Sequence, residues 1–135
     1  MLKLIIGVKG TGKTKALINL VNTASTESKG DVVCIEKGVK LRYDIKSTAR
    51  LIDTEEYFVA DTDALYGFIA GILASNHDIT DLFVDSALKI CNNDAAAFDG
   101  FVDLVAKLAE KLNVNIVMTS SIPVEEASEA VKKYL

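Results

Sequence analysis

The feature of this sequence that most constrains its fold is a short glycine-rich pattern near its beginning. Residues 7–14 fit the spacing G-x-x-x-x-G-K-[ST] at every fixed position. The pattern follows an apolar run at residues 2–6 and precedes a helical pattern, so it lies between a predicted strand and a predicted helix. In that context, backbone N–H groups of the loop and the N-terminus of the helix converge on one anion. The sequence therefore predicts a phosphate-binding loop.

Two side chains of this loop have chemical roles of their own. Lys13 supplies a full positive charge to the β- and γ-phosphates of a nucleoside triphosphate, so we assign it to catalysis as well as to binding. Thr14 offers a hydroxyl group to Mg²⁺. The predicted nucleotide-binding residues are the eight residues of the loop: Gly7, Val8, Lys9, Gly10, Thr11, Gly12, Lys13 and Thr14.

Composition narrows the class of protein. The 135 residues predict a single domain over 1–135, and a hydrophobic content of 50% is enough for a sizeable core. The net charge of −4 argues against broad adhesion to nucleic acid or to anionic membranes. No apolar stretch approaches the roughly 20 residues of a membrane span, and the chain starts at once with a core strand, so we expect no signal peptide and a cytoplasmic protein.

Cysteine and histidine content gives little sign of metal or redox chemistry. Cys34 and Cys91 lie in or beside apolar runs, and we expect them to be reduced and buried. His77 is the only histidine, and no Cys/His cluster has the spacing of zinc ligands.

Apolar runs alternate with helical patterns along the chain. Short apolar runs predict parallel strands that are buried on both faces, at residues 2–6, 32–35, 82–84 and 116–118, with a weaker fifth at 50–53. Apolar stripes of helical spacing follow at residues 16–24, 65–73 and 98–112, the last with capping residues available at 92–94, and Pro123 is expected to open a final helix. The predicted fold is α/β, a three-layer parallel sheet with helices on both faces around a P-loop.

One segment does not fit this alternation. Residues 37–50 contain five basic residues and one acidic residue. Residues 39–43 alternate between apolar and charged side chains and predict a short exposed strand or hairpin arm. The segment is either a solvated basic edge or a contact for the phosphate or acidic surface of a partner.

A triphosphate site also needs an acidic group near the metal. Asp85 ends an apolar strand, and ligands of parallel sheets bind beyond the carboxyl ends of the strands. We expect Asp85 to lie beside the loop if its strand neighbours the first strand, and to hold Mg²⁺ together with Thr14. Many enzymes of this kind place a glutamate directly after that aspartate, but this chain has Ser86. Glu36, at the end of the second strand, is the other candidate for orienting water.

These residues fall in the order found in the RecA-like division of P-loop NTPases, which the chain resembles over most of residues 2–122. The resemblance implies that Glu36 polarises the attacking water and that Thr119 or Ser120 senses the γ-phosphate. Recombinases usually use glutamine as that sensor, and this chain departs from them there. The chain also resembles short bacterial P-loop proteins, some of them labelled twitching-motility ATPases. Such motors carry an additional N-terminal domain and histidine-bearing motifs, which this sequence does not show.

The reading that these observations favour is a domain that binds ATP with Mg²⁺ and hydrolyses it slowly. An arginine that stabilises the transition state is worth ~10³–10⁵ in rate, and Arg42 and Arg50 are the only arginines of the chain. Either would act from a neighbouring subunit, through the basic segment 37–50, in a homo-oligomer or with a protein partner. Two alternatives remain open at this stage, a small-molecule kinase and a nonhydrolysing interaction module that responds to nucleotide.

Overall fold

Five parallel strands form the centre of the computed structural model, which describes residues 1–135. The strands are β1 (Leu2–Ile6), β2 (Asp31–Glu36), β3 (Ala49–Asp53), β4 (Ile79–Val84) and β5 (Asn115–Ser120). They lie in the order β1-β5-β4-β2-β3, and every neighbouring pair is parallel. All five predicted strands are therefore present, and all five carboxyl ends lie at the same edge of the sheet.

Helices cover both faces of this sheet. They are α1 (Lys13–Glu27), α2 (Thr62–Ser75), α3 (Ala87–Ile90), α4 (Ala95–Leu112) and α5 (Glu129–Lys132), with short 3-10 turns at Thr54–Tyr57 and Val124–Glu126. Alternate residues of β2 show the two faces: Val33 and Ile35 pack into the core shared with α2 and α4, whereas Val32 and Cys34 pack with Leu17 of α1. Such strands are apolar throughout because neither face meets water. The predicted three-layer α/β fold is confirmed.

The start of α4 agrees with the sequence, but the end of the chain does not. Asp94 accepts a hydrogen bond from the N–H of Ala97 at 3.1 Å and caps α4. The predicted final helix from Pro123 is wrong. Pro123 precedes only the turn Val124–Glu126, and Ala127 is extended. A new helix then begins because Ser128 accepts the N–H of Val131 at 3.2 Å as an N-cap.

The predicted strand or hairpin arm at residues 39–43 is also wrong. This segment is a series of turns, in which the N–H of Ile45 donates to the carbonyl of Leu41 at 3.1 Å. Leu41 and Ile45 are buried and pack against the α1 side of the sheet. Their spacing of four residues places both on one side of a turn, and this burial outweighs the local alternation.

Strand β1 forms one border of the sheet. Its inner side pairs with β5, and on its outer side the N–H of Leu4 donates to the carbonyl of Tyr134 at 2.7 Å. The residues after α5 therefore cover part of this edge and fix the position of the strand that leads into the P-loop. No helix of the chain is both long enough and apolar enough to cross a membrane.

We expect the glycine between α1 and β2 to be required for the fold. A Cβ atom at Gly30 would overlap the carbonyl oxygen of Asp78 and the methyl group of Thr80, so Gly30→Ala should lower the free energy of unfolding by about 1–3 kcal/mol. Gly100 lies inside α4, where an added Cβ meets nothing within 4 Å. Gly100→Ala should instead stabilise the protein by up to about 1 kcal/mol. Urea unfolding of both variants measures their free energies of unfolding. Equal changes in the two variants would contradict the prediction.

Candidate functional site: a cleft at the carboxyl edge of the sheet

The P-loop joins β1 to α1 in the conformation that its glycines permit. Gly10 and Gly12 have φ angles of 88° and 85°, a left-handed region that other residues rarely adopt. Within the loop, the Lys13 ammonium donates to the carbonyl of Val8 at 2.9 Å, and the Thr11 hydroxyl donates to the same carbonyl at 2.8 Å. The loop thus curls around the N-terminus of α1, whose free N–H groups favour an anion.

Asp85 reaches the loop from the end of β4. The Thr14 hydroxyl lies 3.2 Å and 3.3 Å from the two carboxylate oxygens of Asp85, although 71 residues separate them in sequence. Asp85 lies beside the loop although its strand does not neighbour the first strand, since β5 lies between β1 and β4. The side chains meet above the end of β5, where the Thr119 hydroxyl donates to Asp85 Oδ1 at 2.8 Å.

Thr119 and Ser120 are both buried beneath Asp85. Thr119 accepts the N–H of Ser86 at 2.8 Å, which holds Ser86 in a left-handed conformation with φ 57°. Ser120 donates to the carbonyl of Thr119 at 2.7 Å and accepts the N–H of Leu88 at 3.3 Å. Neither side chain lines the cleft described below, whereas the next residue, Ser121, does. The sensor role was assigned from the sequence to Thr119 or Ser120, and Ser121 was given no role.

Glu36 lies on the other side of Asp85, at the end of β2. The residue is only 3% exposed, and its Oε2 accepts the N–H of Leu41 at 2.9 Å. Burial raises the pKa of the Glu36 carboxyl above its ordinary value, and the negative charges of Asp85 and Asp53 raise it further. Hydrogen bonds from the backbone of Leu41 and Lys40 oppose this shift but are outweighed.

These elements enclose a cleft of about 510 Å³ at the carboxyl edge of the sheet. Residues of the P-loop form one wall, and Glu36, Asp85 and Ser86 lie along the strand ends. Six lysines but only two carboxylates line it, so its charge is strongly positive; the lysines are Lys9, Lys13, Lys15, Lys37, Lys40 and Lys89. Lys15 and Lys89 were not identified from the sequence as candidate site residues. The only sign of them in the sequence is their position, two residues after Lys13 and four residues after Asp85.

The arginines lie elsewhere. Neither Arg42 nor Arg50 lines the cleft. Arg42 is exposed and stacks over the ring of Tyr43 at 5.1 Å, and Arg50 is exposed on β3, the strand farthest from the P-loop.

The donor set fits magnesium better than a transition metal. Thr14 and Asp85 supply oxygen atoms at one point, and no group of three or more His, Cys, Asp or Glu side chains is arranged to hold an ion. Mg²⁺ usually binds through one or two protein ligands together with phosphates and water, whereas zinc needs three or four nitrogen or sulfur ligands. Burial raises the pKa values of Cys34 and Cys91 to about 12, so neither thiol is a ready metal ligand or nucleophile.

Comparison with known proteins supports the fold. Neither a known protein family nor a curated protein matches the sequence. Among solved structures, the chain is similar to a KaiC-like protein from the hyperthermophilic archaeon Pyrococcus horikoshii, with a TM-score of 0.70 and 15% sequence identity. The match covers 98% of this chain and 66% of that one. At 15% identity this similarity concerns the fold alone. The fold agrees with the one that the RecA-like resemblance of the sequence implies.

The buried Glu36 carboxyl should make stability depend on pH. Because its pKa is raised on folding, its favourable contribution is complete below the unfolded pKa of about 4.3 and is lost as pH rises through the folded pKa. We therefore expect Glu36→Gln, which keeps an acceptor for Leu41, to gain stability relative to the wild type as pH rises from about 4 to 7. Urea unfolding across this range tests it, with the exposed Glu125→Gln as the control for removal of one charge. A pH-independent difference would contradict the shift.

Proposed function

We propose that this domain binds ATP together with Mg²⁺ and hydrolyses it slowly, as a small member of the RecA-like P-loop NTPases. The observation that carries the proposal is the contact between the Thr14 hydroxyl and the Asp85 carboxylate. Thr14 is the last residue of a loop that matches the P-loop pattern at every fixed position. Independent parts of the chain supply the two groups. Their approach at the helix N-terminus is what a Mg²⁺–triphosphate requires.

Each residue has a defined task in this proposal. Backbone N–H groups of the P-loop and the Lys13 ammonium bind the phosphates, and Thr14 and Asp85 would hold Mg²⁺. The ion, when bound, neutralises charge that develops on the phosphate oxygens. Thr119 acts through Asp85, because its hydroxyl fixes one carboxylate oxygen at 2.8 Å. Glu36 lines the same cleft and would accept a proton from water, and a raised pKa brings a carboxylate closer to the range of an effective base.

Slow turnover is expected because no arginine lines the cleft. Transition-state charge would be balanced by Lys13 and Mg²⁺ alone, without the ~10³–10⁵ in rate that an arginine finger contributes. Arg42 or Arg50 would therefore have to come from a second copy or a partner protein. The exposed position of both residues leaves that route open.

If Lys13 binds the phosphates, its removal should abolish the stabilisation of the folded protein by nucleotide. At about 100 times its dissociation constant, Mg²⁺–ATP should stabilise the wild type by about 2.7 kcal/mol. Lys13→Ala should abolish this stabilisation, whereas Lys111→Ala, at an exposed position in the last turn of α4, should retain it. Thermal unfolding with and without nucleotide measures both. A well-folded wild type that no triphosphate stabilises at millimolar concentration would overturn the proposal.

If Glu36 accepts a proton from water, its substitution should lower the rate of ATP hydrolysis without lowering the affinity for ATP. Glu36→Gln keeps the size and the acceptor atom for Leu41 but cannot take a proton, so we expect ATP affinity to be retained and turnover to fall by at least about 10²-fold. Asp53→Asn is the matched control, since Asp53 holds the same segment by accepting the N–H of Gly38 at 2.7 Å. Its turnover should stay close to that of the wild type. Phosphate release and nucleotide titration give both quantities, and an unchanged rate in Glu36→Gln would rule out this role.

A further inference from the structure

The charge of the cleft exceeds what one nucleotide would balance. Its six lysines and two carboxylates leave an excess of four positive charges. The two ion pairs of the protein involve Lys132 and Lys133, so no lysine of the cleft has a carboxylate partner. Mg²⁺ cancels part of the charge of a bound triphosphate and leaves about −2. Roughly two positive charges of the cleft would therefore remain without an anion.

Two lysines of the cleft lie on the wall opposite the P-loop. Lys37 and Lys40 follow β2, which is separated from β1 by β5 and β4. With neighbouring strands about 4.8 Å apart, the ends of β1 and β2 are roughly 14 Å apart. Lys89 lies in α3, after β4, and lines the cleft between these walls. The positive charge thus extends well beyond the P-loop toward β2.

Two buried or half-buried carboxylates hold this wall in place. The N–H of Leu41 donates to Glu36 at 2.9 Å, and the N–H of Gly38 donates to Asp53 at 2.7 Å. Gly38 has a φ angle of 98°, which allows the sharp turn after β2. The backbone that carries Lys37 and Lys40 is therefore fixed at two points, so an anion would have to order only their exposed side chains.

We infer that the cleft binds a second, phosphate-bearing small molecule beside the nucleotide, and that Lys37, Lys40 and Lys89 hold its phosphate group. A phosphate monoester carries about −1.5 to −2 charges at neutral pH, which matches the charge that the nucleotide leaves unbalanced. Three ammonium groups also suit a phosphate, because each donates charge-assisted hydrogen bonds to its oxygens. This inference rests on the proposed nucleotide site for its geometry. It goes beyond that site because it assigns a second ligand to the same cleft.

The test is a titration of the full chain saturated with Mg²⁺ and a nonhydrolysable ATP analogue. Inorganic phosphate and glycerol phosphate are added at constant ionic strength, and binding is followed by calorimetry. We expect saturable binding of one phosphate group per chain, with the two probes separating a free phosphate from a phosphate ester. Lys37→Gln, Lys40→Gln and Lys89→Gln should each weaken it about tenfold or more and leave affinity for the analogue unchanged. Lys111→Gln should alter neither.

Two results would overturn the inference. One is saturation by the analogue with no saturable binding of either phosphate probe. The other is an equal loss of analogue and phosphate affinity in the three lysine variants, since these lysines would then serve the nucleotide itself.

Failure of the proposed nucleotide site is distinguishable from failure of the second site. If the analogue does not bind the wild type, the phosphate probes are titrated alone. Binding that depends on Lys37 but persists in Lys13→Ala would support the second site without the first. Binding that is lost only in Lys13→Ala, or no binding at all, would overturn both.

Discussion

The carboxylate of Asp85 is the point at which the functional edge of this sheet is tied together. It contacts the Thr14 hydroxyl from the P-loop and the Thr119 hydroxyl from β5. Thr119 in turn accepts the N–H of Ser86 and fixes the turn that leads into α3. A buried carboxylate needs such donors, because leaving it without hydrogen bonds would cost several kcal/mol. The hydrogen bonds that satisfy Asp85 therefore also align three segments of the chain around one position.

The sequence was sufficient for the elements of the fold because burial and local pattern agree in most of them. Residues 32–35 are apolar throughout, as a strand covered on both faces must be, and residues 2–6 are apolar apart from the exposed Lys3; both runs are strands. The loop at residues 7–14 lies between a strand and a helix, as its sequence pattern predicts. Strand order could not be predicted in the same way, since it depends on contacts distant in sequence. The placement of β5 between β1 and β4 is such a case.

The position of a side chain in the candidate site was harder to predict where loops determine its contacts. Residues 39–43 alternate like a strand, yet Leu41 turns inward because α1 leaves an apolar surface for it to cover. Lys89 has no motif of its own, and only the short helix after Asp85 brings it to the cleft. Glu36 was placed correctly at a strand end, but its hydrogen bond to Leu41 depends on how the following turns fold.

That hydrogen bond fixes the segment after β2, and the proposed function gives the same Glu36 side chain a second task. A carboxylate has about four acceptor positions, and the backbone N–H groups of Leu41 and Lys40 account for two of them. The remaining positions are enough to accept from a water in the cleft, so fixing the segment does not exclude orienting water. The two tasks are nevertheless coupled, because a shift of Lys40 and Leu41 moves the donors that set the carboxylate's orientation. The segment that carries Lys37 and Lys40 and the carboxylate of Glu36 are therefore linked, so that a displacement of one changes the position of the other.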